Sequence, residues 1–286
     1  MSVNDKVVLI TGAARGMGRE YVRGFLAQGA KVIATDLSWV PSGDSSDDFD
    51  FLAQIKDHPN VMAEVMDITI DSHVKRVYQD AMERFGTVDV MINNAGMRSR
   101  VLYPKTSGMV TLLETEVGDW QRMFDTHVFG TFRVIKSFVQ PMLAKRRGSI
   151  INIGTSQPLN LQGNTREGPY PMAKAALYSM TMYLANELKP YNIAANMLMP
   201  GGTRTTGSDF QVTIRNPKGA PLPRRLRPDS VVPLALYLAE QDANGVTGQG
   251  FQVLKWNQEH ELGGFEEWGY EPDVEALRKA GQLPSR

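Results

Sequence analysis

The chain has no cysteine among its 286 residues. This absence excludes disulfides, thiolate nucleophiles and cysteine-based zinc or iron–sulfur sites, and it suits a reducing cytoplasm. A surplus of charge is also lacking, because 31 basic side chains balance 31 acidic ones, so we expect no nucleic-acid partner. No apolar run approaches the roughly 18 residues of a membrane span, and we expect a soluble, cytoplasmic protein without a membrane partner. His58, His73 and His260 have no carboxylates at ligand spacing, so we expect no metal site.

Short apolar runs rich in β-branched residues alternate with stretches of helical periodicity. Such runs predict buried strands, and apolar residues at i, i+3 and i+4 predict amphipathic helices. Strands interleaved with helices predict an α/β fold, namely a single-domain, Rossmann-like, doubly wound parallel sheet with helices on both faces. The predicted strands are Val7–Ile10, Val32–Ala34, Val61–Val65, Val88–Ile92, Ile150–Ile153 and Ile193–Leu198. The predicted helices are Gly18–Ala27, Ser72–Phe85, Trp120–Lys145 and Ala173–Leu188.

A glycine-rich turn, T-G-A-A-R-G-M-G at Thr11–Gly18, follows the first predicted strand and opens the first helix. Glycines let the backbone approach a pyrophosphate closely, and the helix N-terminus offers it free N–H groups and partial positive charge. Asp36, at the end of the second strand, can accept hydrogen bonds from ribose hydroxyls. It would repel a 2′-phosphate by roughly 4 kcal/mol at about 4 Å and an effective dielectric near 20. Arg15 could instead pair with such a phosphate. We weigh Asp36 more heavily and predict NAD as the cofactor.

Tyr170 and Lys174 form the motif Y-P-M-A-K at the start of a predicted helix. Residues at i and i+4 share one helix face, so the two side chains are neighbours. A phenol has a pKa of about 10 and is a poor base at neutral pH, but a nearby ammonium lowers that pKa. Tyr170 could then take a proton from an alcohol or give one to a ketone. The motif is common by chance, and its meaning depends on the motifs around it.

Four motifs follow one another in the chain: Thr11–Gly18, N-N-A-G at Asn93–Gly96, Tyr170-x-x-x-Lys174, and P-G-G-T-R-T at Pro200–Thr205. With them the sequence resembles the short-chain dehydrogenase/reductase family, classical type, across about residues 3–255. The resemblance implies an oxidoreductase that passes a hydride between a nicotinamide and a substrate carbon. It also implies that a tyrosine transfers the accompanying proton.

The resemblance implies roles for single residues. Tyr170 matches the catalytic acid/base, and Lys174 matches the residue that binds the nicotinamide ribose and lowers the pKa of the tyrosine. Asp67–Ile68 match the pair that flanks the adenine, and Thr203 and Thr205 match positions that contact the carboxamide. The predicted cofactor site comprises Gly12, Arg15, Gly16, Met17, Gly18, Asp36, Asp67, Ile68, Asn94, Ala95, Gly96, Tyr170, Lys174, Pro200, Thr203 and Thr205.

Two catalytic positions depart from the family pattern. A serine usually follows the fifth strand and hydrogen-bonds the substrate oxygen. Strand register favours Thr155 for this role, the separation from Tyr170 favours Ser156, and either hydroxyl can serve. His127 stands where the family has an asparagine that helps to hold a water between the lysine and solvent. An imidazole with a pKa of about 6.5 could become charged there and repel Lys174, or it could only pack. In the first case activity falls on the acid side, and His127→Asn removes that fall.

These observations predict an NAD(H)-dependent oxidoreductase that acts on a secondary alcohol or ketone, apolar or ring-containing. One alternative is a dehydrogenase of a cyclic diol or a steroid-like substrate. Another is a catalytically idle NAD(H)-binding sensor or scaffold. The predicted catalytic domain is 1–255, with a substrate-loop excursion at 203–227, and the tail is 256–286.

The resemblance implies a homo-oligomer, a dimer or tetramer. Its subunits would pair through the helical stretches at Trp120–Lys145 and Ala173–Leu188. The tail carries Phe265, Trp268 and Tyr270 and is longer than the family's usual ending. We expect it to pack across a subunit boundary.

Overall fold

The computed structural model describes residues 2–41, 49–106, 108–155, 167–204 and 225–270. Their main sheet consists of seven parallel strands, β1 Val7–Thr11, β2 Lys31–Asp36, β3 Val61–Val65, β4 Val90–Asn93, β5 Gly148–Ile153, β6 Ile193–Met199 and β8 Gly250–Gln252. Their order across the sheet is β3-β2-β1-β4-β5-β6-β8. The strand order reverses between β1 and β4, and ligands of open α/β sheets bind at the carboxyl ends of the strands beside such a reversal.

Helices cover both faces of this sheet. They are α1 Gly16–Ala27, α2 Leu52–Ile55, α3 Asp71–Phe85, α4 Ser99–Leu102, α5 Val117–Phe124, α6 Thr131–Phe138, α7 Gln140–Lys145, α8 Tyr170–Leu188, α9 Val232–Ala239, α10 Val253–Glu259 and α11 Phe265–Trp268. Short 3₁₀ turns occupy Pro104–Thr106, Leu112–Glu114, Lys189–Tyr191 and Pro228–Val231. A small antiparallel pair joins β7, Arg225–Leu226, to β9, Gly269–Tyr270.

Both faces of the central strands are buried because successive side chains of a strand point to opposite sides. Val8 and Ile10 of β1 belong to the cluster that packs against α1 and α9, whereas Val7 and Leu9 belong to the cluster against α3 and α6. Continuous apolar runs are typical of parallel strands covered on two faces. The predicted α/β fold with one doubly wound parallel sheet is confirmed.

Some boundaries differ from those that the sequence predicted. The fourth strand begins at Val90 rather than Val88, and β8 was not predicted because its residues, Gly-Phe-Gln, form no β-branched run. The predicted helix Trp120–Lys145 contains a π-helical turn at Asp125–Gly130, between α5 and α6. A π turn holds one extra residue in a helix and often marks a functional site.

The chain continues to pack on itself beyond residue 255. Trp256 is 6% exposed within the cluster that faces α1, and β9 pairs with β7. The described part of the tail therefore contacts its own chain. Residues 271–286 lie outside the described residues, and packing across a subunit boundary stays a prediction.

Within the described ranges, none of the helices is long and apolar enough to cross a membrane. The same ranges contain no group of three or more histidines and carboxylates placed to hold a metal ion.

Candidate active site

A cleft of about 710 Å³ opens at the carboxyl ends of β1 to β6. All the predicted site residues that the structure describes line it, which are Gly12, Arg15, Gly16, Met17, Gly18, Asp36, Asp67, Ile68, Asn94, Ala95, Gly96, His127, Thr155, Tyr170, Lys174, Pro200 and Thr203. Ser156 and Thr205 lie outside the described residues. Parallel strands end at one edge of the sheet, and this explains why motifs far apart in the sequence meet in one cleft.

The glycine-rich turn fits closely against the end of β4. A Cβ atom on Gly12 would lie 2.9 Å from the Cα of Ala95, and one on Gly18 would lie 1.8 Å from the Gly12 carbonyl oxygen. Asn94 Nδ2 donates to the same carbonyl at 2.9 Å. Helix α1 begins at Gly16, so the N–H groups of its first turn have no partner inside the helix. The glycine backbone and the free N–H groups at the start of α1 together form a site that fits a pyrophosphate.

Asp36 lies at the end of β2 beside this turn. Its Oδ2 accepts a hydrogen bond from the Ala14 N–H at 2.9 Å, and its Oδ1 accepts one from the Ser38 N–H at 3.3 Å. Burial raises the pKa of this carboxyl group, and the two backbone hydrogen bonds and the charge of Arg15 oppose the rise. The Arg15 guanidinium donates to the carbonyl oxygens of Ser38 and Val40, at 3.4 and 3.2 Å. The Arg15 side chain therefore links the glycine-rich turn to the segment after β2, at the edge of the cleft next to Asp36.

Tyr170 and Lys174 lie in the first turns of α8, where Pro171 sets the start of the helix. Lys174 is 5% exposed, and its Nζ donates to the Ile153 carbonyl oxygen at 2.6 Å. The same Nζ lies 5.9 Å from the centre of the Tyr170 ring. The His127 ring meets the Tyr170 ring edge-on, with centres 5.4 Å apart. A phenol, an ammonium and an imidazole therefore share one wall of the cleft.

Burial shifts the pKa values of both members of this pair. Burial raises the pKa of Tyr170, while the charge of Arg98 lowers it and that of Glu167 raises it. Burial, reinforced by Arg98, lowers the pKa of Lys174 to about 7. Lys174 was expected to be the cation that lowers the pKa of Tyr170. Arg98 has that effect on Tyr170, and the role of Lys174 stays a prediction.

His127 occupies the π turn Asp125–Gly130 and is 2% exposed. Its Nε2 lies 2.7 Å from the Met97 carbonyl oxygen and 3.2 Å from the Met97 nitrogen. We assign the proton to Nε2, because the shorter contact requires a donor there. Nδ1 is then a buried acceptor without a partner among the described residues, and such an atom is suited to a water.

The imidazole of His127 stays neutral near pH 7. Burial and the neighbouring charge of Lys174 lower its pKa to about 3. The expectation that His127 becomes charged on the acid side of neutrality is therefore wrong. The His127 ring also explains why residue 96 is a glycine, because a Cβ on Gly96 would lie 2.6 Å from His127 Cε1.

Arg98 is a site residue that the sequence did not single out. The Met97 backbone on one side of it is held by His127, and the Ser99 hydroxyl on the other donates to the Glu167 carbonyl oxygen at 2.7 Å. These anchors place Arg98 on the cleft beside Tyr170. Its position two residues after N-N-A-G was visible in the sequence. The direction of a loop side chain was not.

A family model for short chain dehydrogenase matches residues 6–213 of the sequence. The chain belongs to the short-chain dehydrogenase/reductase family. It is therefore an oxidoreductase of a family that uses a nicotinamide cofactor, NAD or NADP, on small-molecule substrates.

Two curated relatives and one solved structure are similar to the chain. The chain is similar to fluoren-9-ol dehydrogenase of Terrabacter sp. (strain DBF63), with 38% identity over 288 residues that cover 96% of this chain and 79% of the relative. It is similar to 3-alpha-(or 20-beta)-hydroxysteroid dehydrogenase of Mycobacterium bovis (strain ATCC BAA-935 / AF2122/97), with 30% identity covering 87% of each chain. The crystal structure of gox2181 superimposes with a TM-score of 0.73 at 25% identity, covering 88% of this chain and 96% of the other.

Proposed function

We propose that the protein is an NAD(H)-dependent dehydrogenase that interconverts a secondary alcohol and its ketone. The observation that carries this proposal is the single cleft shared by the glycine-rich turn, Asp36, Tyr170 and Lys174. A phosphate-binding turn and a proton-transferring pair in one cleft are what hydride transfer requires. A cofactor that only bound as a signal would not need a phenol beside it.

A nicotinamide dinucleotide fits the residues of this cleft. Gly12 and Gly18 allow the tight turn that would hold the pyrophosphate, because a Cβ on either residue would overlap neighbouring backbone atoms. Asp36 would hold the adenosine ribose, with Asp67 and Ile68 beside the adenine. Lys174 would hold the nicotinamide ribose, and the other end of the site would be formed by Pro200 and Thr203, with Thr205 adjoining. When bound, the nicotinamide supplies or accepts a hydride.

The protein's own groups would handle the proton. Tyr170 gives a proton to the ketone oxygen or takes one from the alcohol, while the hydroxyl of Thr155 or Ser156 holds that oxygen in place. Arg98 favours the base form of Tyr170 electrostatically. His127 holds the Met97 backbone and offers Nδ1 as an acceptor for a water near Lys174.

The preference for NAD over NADP rests on Asp36. Its carboxylate, held by two backbone N–H groups, would lie against a 2′-phosphate and repel it by roughly 4 kcal/mol. Arg15 offsets part of this repulsion, although its guanidinium already bonds to backbone carbonyls. We expect kcat/KM to be about 100-fold higher with NAD(H) than with NADP(H), after this offset. Steady-state assays with both cofactors check it, and equal values would contradict the role of Asp36.

A ring-containing substrate is supported by the relatives named for fluoren-9-ol and for hydroxysteroids. We propose a homo-oligomer, a dimer or tetramer. We also propose that residues 1–255 form the catalytic unit, and that it acts in the cytoplasm, which suits a chain without cysteine. A cyclic diol remains an alternative substrate of the same chemistry.

The proposed chemistry is tested by Tyr170→Phe, which removes the hydroxyl and keeps the ring. We expect kcat to fall by about 10²–10⁴, the range for loss of a positioned acid or base. The assay is NAD(H)-coupled turnover of a panel of secondary alcohols and ketones, including fused-ring ones. Cofactor affinity and thermal stability should stay close to those of the wild type. Unchanged turnover in Tyr170→Phe would overturn the assignment.

A further inference from the structure

Strand β9 near the end of the described chain is connected to the wall of the cleft through β7. In the antiparallel pair, Leu226 lies opposite Gly269, and the Arg227 N–H donates to the Trp268 carbonyl oxygen at 2.8 Å. On its other side, Leu226 bonds to the segment Gly202–Arg204. Its N–H donates to the Gly202 carbonyl oxygen at 3.0 Å, and its carbonyl oxygen accepts from the Arg204 N–H at 2.8 Å. Leu226 therefore lies in the middle of a ladder of three hydrogen-bonded backbone segments. Gly202–Arg204 is its inner layer and Trp268–Tyr270 is its outer layer.

The inner layer of this ladder carries a residue of the cofactor site. Thr203 pairs with Leu226, is 3% exposed and lines the cleft together with Pro200 and Gly201. Its hydroxyl donates to the Pro200 carbonyl oxygen at 2.9 Å, and its N–H donates to the Gly201 carbonyl oxygen at 2.9 Å. The position of Thr203 is thus fixed from within by Pro200–Gly201 and from without by Leu226.

Side chains add to this backbone ladder. The Arg204 guanidinium lies over the Tyr270 ring, 4.1 Å from its centre, and the Arg227 guanidinium lies 5.5 Å from the Trp268 ring centre. Contacts of a cation with an aromatic face are favourable. Arg204 directly follows Thr203, so the contact with Tyr270 holds the inner layer to the outer one.

We propose that Trp268–Tyr270 is a positioning element of the cofactor site, which holds the Pro200–Arg204 wall in place for the nicotinamide end of the dinucleotide. This inference rests on the proposed function, because it assumes a dinucleotide in the cleft. Binding is stronger when the wall is already ordered, because no binding free energy is then lost in ordering it. The opposite end of the site, with Gly12 and Gly18 for the pyrophosphate and Asp36 for the adenosine ribose, lies on other strands and does not depend on this ladder.

A binding experiment on the full-length chain can test the two ends of the cofactor site separately. Tyr270→Ala removes the ring, and Arg204→Gln removes the cation while leaving both strands unaltered. Tyr270→Phe keeps a ring for Arg204. Tyr191→Ala is a matched control, because it removes another aromatic ring that contacts an arginine, Arg146 at 5.8 Å, away from the cleft.

The readouts are the dissociation constants of NADH and of ADP-ribose, which lacks the nicotinamide. We expect Tyr270→Ala and Arg204→Gln to weaken NADH binding by roughly 3- to 30-fold. ADP-ribose binding should stay within about twofold of the wild type, as should both affinities in Tyr270→Phe and Tyr191→Ala. Thermal unfolding verifies that each variant is folded. Arg204→Gln, with both strands unaltered, keeps the comparison decisive if Tyr270→Ala does not fold.

Three outcomes would overturn the proposal. They are unchanged NADH binding in Arg204→Gln, equal weakening of NADH and ADP-ribose, and the same loss in Tyr191→Ala as in Tyr270→Ala. A wild type that bound neither ligand would overturn the proposed function, and this inference with it. Normal wild-type binding with any of the three outcomes would overturn the positioning role alone.

Discussion

The residues around Tyr170 set the pKa of its phenol, and with it the pH at which the phenol loses its proton. Two basic side chains, Arg98 and Lys174, and one acidic side chain, Glu167, lie near the phenol in a partly buried wall. Desolvation penalises every charged form, so it raises the pKa of the phenol and lowers that of the ammonium. Arg98 stays charged because a guanidinium is not deprotonated in proteins. It is therefore the dependable source of positive potential at this point.

Replacing Arg98 by glutamine should raise the pKa of Tyr170. Alcohol oxidation needs the base form of the phenol, so the pH profile of kcat/KM should move to higher pH. On the acid side of the midpoint, the rate falls about tenfold for each pH unit by which the midpoint rises. Arg98→Lys keeps the charge and should restore most of the profile. Steady-state rates across the pH range measure both, and a lower rate with an unchanged midpoint would show that Arg98 does not act through Tyr170.

His127 should make the folded protein less stable as the pH falls. Its pKa is about 3 in the folded chain and about 6.5 in the unfolded chain. Between these values the unfolded chain binds the extra proton, so stability is complete above pH 6.5 and is lost as the pH decreases towards 3. From pH 7.5 to 5.5 the loss due to this group is about 1.4 kcal/mol.

The variant His127→Asn isolates this contribution. Denaturant unfolding at pH 7.5 and 5.5 should show a smaller loss of stability in the variant, by about 1.4 kcal/mol. The other titrating groups cancel in the comparison. Equal losses in both proteins would mean that the imidazole accepts a proton in the folded state. The activity profile should show no fall due to His127 above pH 5.

At the scale of elements, the sequence predicts regular pieces and misses irregular ones. Strands β1 to β6 were predictable because parallel strands buried on two faces need continuous β-branched runs. The π turn was not, because the apolar pattern of Trp120–Lys145 continues through it with little change of period. Strands β7 and β9 have two residues each, and no periodicity can be read from two residues.

The candidate site was predictable to the same extent. Motifs that follow strands gather at one sheet edge, so the sequence alone could place Asp36, Asn94 and Thr155 together. Arg98 could not be placed, because its direction depends on anchors at His127 and Glu167 that are distant in sequence. The protonation state of His127 depends on burial in the folded chain, which a residue type does not reveal.

At the scale of the whole molecule, exposed aromatic residues lie on the helical stretches expected to pair subunits. Phe129 and Phe132 are 55% and 46% exposed, and Tyr183 on α8 is 75% exposed. A stable interface buries roughly 1,200–2,000 Å² in total and places aromatic residues at its core. These side chains give the helical faces of the π turn, α6 and α8 the apolar character that such an interface needs.

A charge on this face should separate the subunits. In a two-fold interface each substitution occurs on both sides, so Phe132→Asp or Tyr183→Glu brings two carboxylates into a desolvated contact. We expect the mass measured by light scattering after gel filtration to fall from that of a dimer or tetramer to that of a smaller species. Leu113→Asp is the matched control, because Leu113 is 99% exposed on a turn outside these helices. A wild type that is already monomeric, or variants that keep the full mass, would contradict pairing through this face. The π turn carries His127 and α8 carries Tyr170. A dissociated variant that also loses turnover would therefore indicate that assembly supports the catalytic wall.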